Sequence, residues 1–507
     1  MSTQPLSAPA SRRGSWSMRH RLGRGITAGT AGVVAAVATV SLAGPVAAEP
    51  AGITITVDAD AAGGRTIPQH FLGLSWEADQ LHQPWMAAGS GNLAALLNDL
   101  GPGTLRFSAN AVDRTPWQAD APADAPGPVI NAADLHRAGE LARAVGWPVD
   151  LGVNLAANNP AAAADEVRTA RRAMGPMLRS VQIGNEPDIF PAMQLKPYDP
   201  QIYLDQAHAY RDAIDAAAPD TRYGGPDAAM AAGVSPIGDA YSGYAQSWRA
   251  AYVDAFAGQG DYLNQHYYPL LRTPGANTAA MVDQLNSPST AATDRRFIDG
   301  IVREAEAAGM EPHLSETNSV AGNGQPGVSN TFGAALWTLD YLLTAANSGI
   351  AGVNMHQQPQ DCGSYAWVCL PDGSGDLHAQ PPFYAGLLFS QLRGGTFLPA
   401  EVSDPGSGVS AHALRMPDGH IKVVVDDYGR EPHRPVSVKI ENSDAVEATT
   451  QSLTGPNAYA TSEIRFADAE VAPDGSFTPG PDERITGLDG RFDLAFDGPA
   501  AVVLDVP

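Results

Sequence analysis

The chain has 507 residues, 44% hydrophobic and 17% charged, so it can bury a large core and form more than one domain. Acidic residues outnumber basic residues by 55 to 31, and a surface with a formal net charge of −24 repels phosphate backbones and anionic lipids. We therefore expect no nucleic-acid partner. Two cysteines also exclude a zinc-finger array or a disulfide-based scaffold.

Residues 1–48 have the pattern of a signal peptide. The first 24 residues contain five arginines and no acidic residue, an apolar stretch follows at Ile26–Leu42, and Val46-Ala47-Ala48 resembles a cleavage site. The apolar stretch is about long enough to cross a bilayer, but it is only mildly hydrophobic. We predict cleavage after Ala48, export from the cell and no stable membrane anchor afterwards. The general secretory and twin-arginine routes both remain open.

Residues 49–65 contain one isolated strand pattern. Ile53–Val57 alternates apolar and polar side chains and precedes the turn residues Ala62-Gly63-Gly64. Because the regular pattern of the next segment leaves no place for this strand, we expect it to join a β-domain at the other end of the chain.

Between residues 66 and 396, short apolar runs alternate with longer helical patterns. The predicted strands are Phe71–Ser75, Thr104–Ser108, Val149–Asn154, Val181–Asn185, Arg222–Gly225, Tyr262–His266, His313–Glu316 and Gly352–His356. The predicted helices are Ala132–Val145, Ala161–Leu178, Ile202–Ala217, Ala292–Ala308 and Thr331–Asn347. Eight such strands are typical of a (β/α)₈ barrel. A doubly wound sheet is the alternative, but the first strand lacks the glycine-rich phosphate turn of that fold.

Residues 397–507 lack the long helical patterns of the preceding segment. Short strand patterns such as Ile421–Val425 and Val436–Ile440 alternate there with turn residues. The predicted fold class is therefore α/β, a (β/α)₈ TIM barrel followed by a C-terminal all-β sandwich that the N-terminal strand joins.

Two glutamates stand out among the polar residues that follow the predicted strands. Glu186 follows the fourth strand and Glu316 ends the seventh, and these strands face each other across the mouth of an eight-stranded barrel. Glycoside hydrolysis uses such a pair, in which one carboxylic acid protonates the leaving oxygen and the other carboxylate attacks the sugar or activates water. We predict that Glu186 and Glu316 are catalytic. A structural role at a strand end is the alternative for the other polar residues of this rim.

The motifs around these glutamates resemble a known family. Asn185-Glu186-Pro187, together with Glu316, is similar to the clan of retaining glycosidases built on (β/α)₈ barrels. The longer segment Glu316-Thr317-Asn318-Ser319, with the residues from Gly327 to His356, resembles glycoside hydrolase family 79, which includes β-glucuronidases and heparanase-like endoglucuronidases. The resemblance covers essentially the whole chain after the signal peptide.

The resemblance implies a role for each matching residue. Glu186 would be the acid/base and Glu316 the nucleophile, Tyr268 or its neighbour Tyr267 would bond the nucleophile, and Asn185 would hold the sugar 2-hydroxyl. Other sugar hydroxyls would meet the side chains of Glu77 and His356. The mechanism of the family needs no cofactor and no metal ion.

One segment departs from the family pattern. Members that accept glucuronate usually have an aromatic residue shortly after the nucleophile, whereas this chain reads Ser319-Val320-Ala321-Gly322-Asn323. Tyr365 can replace that aromatic residue if its loop folds over the pocket. Tyr365 lies between Cys362 and Cys369, which we expect to form a disulfide in an exported protein.

Together with the signal-like N-terminal residues, the family resemblance implies a secreted retaining β-glucuronidase. Its acidic charge favours small β-glucuronides or glycans decorated with uronic acid over long polyanions. One alternative is a retaining glycosidase of the same clan that acts on neutral sugars such as xylan or arabinan. A second alternative is a barrel that binds carbohydrate without catalysis.

Overall fold

The structure is a computed structural model that describes residues 52–507, apart from 123–124, 126–127, 192–196, 230–238, 372–374 and 430–433. The predicted signal peptide, residues 1–48, lies outside the described residues. In the part of the chain that is described, every helix is too short or too polar to cross a membrane.

Eight parallel strands close into a barrel, as the sequence predicted. After an N-terminal strand β1 (Ile53–Val57), these strands are β2 (Leu72–Glu77), β3 (Thr104–Ser108), β4 (Val149–Val153), β5 (Leu178–Ile183), β6 (Tyr223–Ala228), β7 (Tyr262–Tyr267), β9 (Glu311–Thr317) and β11 (Gly352–His356). The order around the ring is β11-β2-β3-β4-β5-β6-β7-β9, so neighbours in the ring are consecutive barrel strands along the chain. The short strands β8 (Leu270–Leu271) and β10 (Val320–Ala321) pair with each other beside the ring.

Helices connect the barrel strands and cover their outer faces. They are α1 (Leu93–Asp99), α2 (Ala109–Val112), α3 (Ala132–Val145), α4 (Pro160–Met174), α5 (Pro200–Ala217), α6 (Asp239–Phe256), α7 (Thr278–Leu285), α8 (Pro288–Ala308), α9 (Phe332–Ser348) and α10 (Pro381–Ser390). Single turns of 3₁₀ helix lie at Ala78–His82, Pro84–Met86, Gly175–Met177 and Pro187–Ile189. Local sequence sets the ends of helix α3, where the Asn131 side chain accepts from the Asp134 N–H and Gly146 adopts a φ of 69°.

The C-terminal part of the chain forms two facing sheets. A small hairpin, β12 (Val368–Cys369) with β13 (His378–Ala379), precedes them. The sandwich strands are β14 (Thr396–Leu398), β15 (Ala400–Val402), β16 (Val409–Arg415), β17 (Ile421–Asp427), β18 (Arg434–Ile440), β19 (Glu447–Thr454), β20 (Arg465–Phe466), β21 (Glu483–Thr486), β22 (Arg491–Phe496) and β23 (Ala500–Val506). One sheet has the order β14-β16-β17-β23-β19-β20, with β21 also pairing with β19, and the other has the order β15-β1-β18-β22.

The N-terminal strand β1 belongs to this sandwich, which confirms the expected crossing. It runs parallel to β18 and antiparallel to β15, so it is an inner strand of its sheet. Its alternate residues Ile53, Ile55 and Val57 are buried in a core that both sheets share. The alternation in the sequence follows from this one-sided burial.

The other face of the larger sheet packs on the barrel. Leu414, Val424 and Leu453 of this sheet belong to the same hydrophobic core as the barrel strands and their helices. The barrel and the sandwich therefore share one continuous apolar interior.

Candidate active site

Glu186 and Glu316 lie together at the carboxyl ends of barrel strands. Glu186 follows β5 and is held in the left-handed backbone region with a φ of 48°, which only glycine adopts readily. Glu316 is the second-to-last residue of β9, and one carboxylate oxygen of Glu186 lies within 4.8 Å of one carboxylate oxygen of Glu316. Both side chains are buried. The unusual backbone at Glu186 is the kind of strain that clusters at functional sites.

Glu316 is surrounded by groups that favour its charged form. Its Oε2 accepts from Nη1 of Arg106 at 2.8 Å, and its Oε1 accepts from the hydroxyl of Tyr268 at 2.9 Å. Burial alone would raise the pKa of Glu316, but positive charge on His356, His266 and Arg106, together with the bond from Tyr268, holds it well below its usual range. The carboxylate is therefore ionised and available as a nucleophile near neutral pH.

Glu186 has a histidine as its nearest partner. Nδ1 of His266 lies 2.9 Å from Oε1 of Glu186, and Nε2 of the same ring lies 3.5 Å from Asp227. Burial and the Arg106 guanidinium, 3.3 Å from Nε2, oppose a charged ring. The carboxylates of Glu316, Asp227 and Glu186 outweigh them and raise the pKa of His266 to about 10. His266 therefore donates to Oε1 of Glu186 and leaves Oε2 for another partner.

Arg106, like His266, was given no role in the site by sequence reasoning. It lies in the middle of β3, is fully buried and bonds four side chains besides its contact with His266, namely Glu316, Asn185, Gln182 and Ser75. A lone arginine inside the apolar run Thr104–Ser108 was the available signal, because a buried cation needs anionic or polar partners.

A cavity of about 180 Å³ opens beside the two glutamates. Two of the residues expected to contact sugar, His356 and Tyr365, line it together with Tyr268. Asn185 lies behind this wall, where Oδ1 accepts from Arg106 at 2.9 Å and Nδ2 is buried without a partner among the described residues. Glu77 is not among the residues that line the cavity; it accepts from the Ala111 N–H at 2.6 Å and lies 3.6 Å from His356, which does line it.

The two adjacent tyrosines point in opposite directions. The hydroxyl of Tyr267 donates to Asp294 of helix α8 at 2.5 Å, and its ring stacks on Phe297. Tyr267 is not among the residues that line the cavity, and of the two tyrosines proposed to bond Glu316 it is Tyr268 that does so. Successive residues of an extended chain point to opposite sides, so only Tyr268 of the two can face Glu316.

The loop after β11 folds over the cavity and carries Tyr365 there. Cys362 and Cys369 form the expected disulfide across this loop. The Asn318 side chain donates to the main-chain oxygens of both His356 and Tyr365 at 3.0 Å, so it ties the loop to the end of the strand. The loop therefore brings Tyr365 to the cavity, which was the condition for Tyr365 to replace the aromatic residue that is missing after Glu316.

Glu186, His266 and Glu316 also form the one group of potential metal ligands found in the described ranges, with their atoms within 4.8 Å of one another. Within this group, Nδ1 of His266 already bonds Oε1 of Glu186 at 2.9 Å.

Several curated proteins are similar to parts of this chain, although no protein-family model matches it. A β-glucuronidase from Neurospora crassa is 26% identical over 240 residues, which cover 45% of this chain and 42% of that protein. A heparanase from Gallus gallus is 35% identical over 137 residues, which cover 27% of this chain and 24% of that protein. The chain therefore spans less than half the length of the curated relatives that it matches.

Solved structures share the fold over nearly the whole length. A 4-O-α-L-rhamnosyl-β-D-glucuronidase from Fusarium oxysporum 12S has a TM-score of 0.71 and 19% identity, and the match covers 89% of this chain and 99% of that one. An arabinofuranosidase from Xanthomonas axonopodis pv. citri has a TM-score of 0.64 and 14% identity, with coverage of 90% and 100%. The barrel with its β-domain is thus a fold on which known glycosidases are built, and the chain resembles the family that its motifs indicated.

Proposed function

We propose that this protein is a retaining glycoside hydrolase that cleaves β-glucuronides. The observation that carries the proposal is that a carboxylate oxygen of Glu186 lies within 4.8 Å of a carboxylate oxygen of Glu316 at the mouth of the barrel. Retaining enzymes hold their two carboxyl groups about 5–5.5 Å apart, whereas inverting enzymes leave about 6.5–9.5 Å for a water molecule. The short separation favours direct attack by one carboxylate.

The surroundings of the two glutamates fit the two steps of this reaction. In the first step, Glu316 attacks the anomeric carbon while Glu186 gives a proton from Oε2 to the leaving oxygen, so the glycosidic bond breaks and a covalent glycosyl ester forms. In the second step, Glu186 takes a proton from water, and that water displaces Glu316 and releases the sugar. Throughout, His266 holds Oε1 of Glu186, and Arg106 with Tyr268 holds Glu316.

We expect substrate preference to depend on the cavity wall that the segment after Glu316 and the disulfide loop form. Ala321, Gly322 and Asn323 line it in place of an aromatic residue, and Tyr365 approaches from the disulfide loop. The hydroxyl of Tyr365 supports recognition of a sugar carboxylate. Asn185 is not among the residues that line the cavity, so its contact with the 2-hydroxyl stays a prediction. The β-glucuronidases and heparanases among the relatives support the same sugar.

A glycosidase for neutral sugars is the second candidate. The small residues Ala321 and Gly322 favour it, because they offer no side-chain donor to a carboxylate. The arabinofuranosidase among the similar structures is compatible with it at the level of the fold.

Kinetic assays on aryl β-glucuronides, β-glucosides, β-xylosides and α-arabinofuranosides separate these candidates. We expect turnover of the glucuronide, a loss of at least about 1,000-fold in Glu316→Gln, and a loss of about 100- to 10,000-fold in Glu186→Gln. Turnover that survives in Glu316→Gln would refute the mechanism. Turnover of neutral sugars alone would refute the substrate, and inactivity on every glycoside with retained sugar binding would support a binding protein.

We also propose export to the cell exterior, supported by the signal-like residues 1–48 and by the disulfide. N-terminal sequencing of protein recovered from the culture medium tests it, and the expected first residue is Glu49. Protein that stays inside the cell and begins at Met1 would contradict this proposal.

A further inference from the structure

Three consecutive main-chain N–H groups hold the segment Gly184-Asn185-Glu186, which follows strand β5. The N–H groups of Gly184 and Glu186 donate to main-chain oxygens of β4 and β6, both at 2.9 Å. The N–H group of Asn185, between them, donates instead to a side chain, Oδ2 of Asp113, at 2.9 Å. A single substitution can therefore remove this one bond and leave the partners of the other two unchanged.

Asp113 connects three of the loops at the mouth of the barrel. It follows helix α2, its Oδ2 holds Asn185 after β5, and its Oδ1 accepts from the N–H groups of Leu155 and Ala156 after β4, at 2.8 and 3.0 Å. Burial raises the pKa of Asp113 to about 6, although the three N–H bonds and the charge of Arg114 oppose the rise. Near neutral pH the group is therefore a carboxylate, and both of its oxygens accept hydrogen bonds.

The bond from Asn185 acts next to the residue that the proposed reaction uses as its acid and base. Glu186 has a φ of 48° and Gly184 a φ of 79°, so the chain leaves the extended conformation on both sides of Asn185. Backbone of this kind persists only where the surrounding contacts hold it. Because proton transfer requires the acid within hydrogen-bond reach of the leaving oxygen, a displacement of about 1 Å can cost about 100-fold in rate.

We propose that Asp113 is a positioning residue of the hydrolase, which acts through the Asn185 N–H to keep Glu186 where it can protonate the leaving oxygen. The inference rests on the proposed function. Asp113 is not among the residues that line the cavity, so its effect on the reaction passes through the segment that it holds.

Asp113→Asn removes the bond to Asn185 selectively. An amide offers one acceptor oxygen and one donor NH₂ group in place of the two acceptors of a carboxylate. If the oxygen keeps the two N–H groups of Leu155 and Ala156, the NH₂ group faces the Asn185 N–H, and two donors cannot bond each other. The variant should therefore keep the loop after β4 in place, while the segment that carries Glu186 loses one of its three bonds.

The test compares kcat/KM for phenyl and 2,4-dinitrophenyl β-glucuronides. Phenol needs a proton to leave, whereas dinitrophenol is acidic enough to leave as an anion, so the first substrate depends far more on the acid Glu186. We expect Asp113→Asn to lose about 10- to 100-fold on the phenyl glucuronide and less than about threefold on the dinitrophenyl glucuronide. The ratio of the two constants does not depend on how much of the enzyme is folded, so a partly folded variant still gives an answer.

A double variant tests whether Asp113 acts through Glu186. In the Glu186→Gln background, where the acid is already absent, Asp113→Asn should cost less than about twofold more on the phenyl glucuronide. Asp58→Asn is the matched control, because Oδ1 of Asp58 also accepts from two N–H groups, in a turn after β1, and its ratio should equal that of the wild type. Unchanged kinetics, an equal loss on both substrates or a full further loss in the double variant would overturn the role of Asp113.

Failure of the proposed function would give different results. A wild type that hydrolyses only neutral glycosides would refute the β-glucuronide substrate, and the same two leaving groups on the accepted sugar would still test Asp113. A wild type that is inactive on every glycoside would overturn both proposals.

Discussion

At the scale of single residues, the environment of Glu316 is the feature that most affects the proposed chemistry. Tyr268 and Arg106 donate to its two oxygens, while the chemically identical Tyr267 bonds Asp294 on the far side of the strand. Two neighbouring tyrosines thus have separate physical roles, one electrostatic and one structural. This difference can be measured.

Tyr268→Phe should lower kcat/KM about 10- to 100-fold and move the acid limb of its pH profile upward by about one unit. The variant removes a hydrogen bond to the charged form of Glu316, so the pKa of that carboxyl rises and the nucleophile is lost at higher pH. The measurement is kcat/KM against pH with an aryl glucuronide.

Tyr267→Phe is the matched control for this prediction. It should leave the pH profile unchanged and lower the free energy of unfolding by about 1–2 kcal/mol, because Asp294 loses a buried donor. The same shift of the acid limb in both variants would show that the two hydroxyls act alike.

The sequence could predict the two glutamates but not the residues that tune them. Glu186 and Glu316 follow apolar runs, so the amino-acid sequence alone predicts that each lies at the end of a strand. Arg106 and His266 act on the glutamates from other strands. Arg106 bonds Glu316, 210 residues away along the chain, and His266 bonds Glu186, 80 residues away. Such pairings need the register of the closed barrel, which periodicity does not supply.

At the scale of elements, helix α4 contains a buried carboxyl group that no sequence pattern indicated. Burial, with a smaller contribution from Asp165, raises the pKa of Glu166 to about 8 from 4.5, and its Oε1 has no hydrogen-bond partner among the described residues. Between pH 4.5 and 8 the folded state keeps a proton that the unfolded state has released. Stability therefore falls as pH rises through that window.

Glu166→Gln should remove this pH dependence. We expect the variant to match the wild type near pH 4.5 and to be more stable by a few kcal/mol at pH 8 and above. Urea unfolding at a series of pH values measures the difference. Glu140→Gln, at an exposed position of helix α3, should show no such trend, and an equal trend in both variants would contradict the assignment.

The loop that carries Tyr365 depends on its disulfide. Replacing both Cys362 and Cys369 by serine should lower the free energy of unfolding by about 2–3 kcal/mol, since the bond closes a short loop. The variant should also raise KM for the glucuronide several-fold with little change in kcat, because Tyr365 loses its fixed position. Tyr365→Phe keeps the disulfide, so it should raise KM without the loss of stability.

Element prediction succeeded where an element has one clear pattern. Strands Thr104–Ser108 and Gly352–His356 and helix Ala132–Val145 match the structure residue for residue. Helix α10, Pro381–Ser390, was missed, and it is almost entirely buried between α9 and the sandwich. An element that is apolar on all sides has no periodicity to read.

At the scale of the whole molecule, the barrel and the sandwich should unfold as one unit. Leu414 and Val424 of the larger sheet belong to the core of the barrel, while the opposite face of that sheet packs on the core that contains β1. The larger sheet thus joins the two cores. A destabilising substitution in the sandwich should therefore also lower the stability of the barrel, although the proposed chemistry lies entirely in the barrel.

Ile55→Ala tests this coupling, because Ile55 is fully buried in the inner strand β1 of the sandwich. The change should cost about 2–5 kcal/mol by loss of apolar contacts and creation of a cavity. Thr54→Ala, which changes the next residue on the opposite face, should cost much less. Enzymatic activity reports on the barrel and far-UV circular dichroism on the whole chain, and in urea both should be lost at one shared, lowered midpoint. Activity that outlasts an early loss of β-structure would show that the two domains unfold independently.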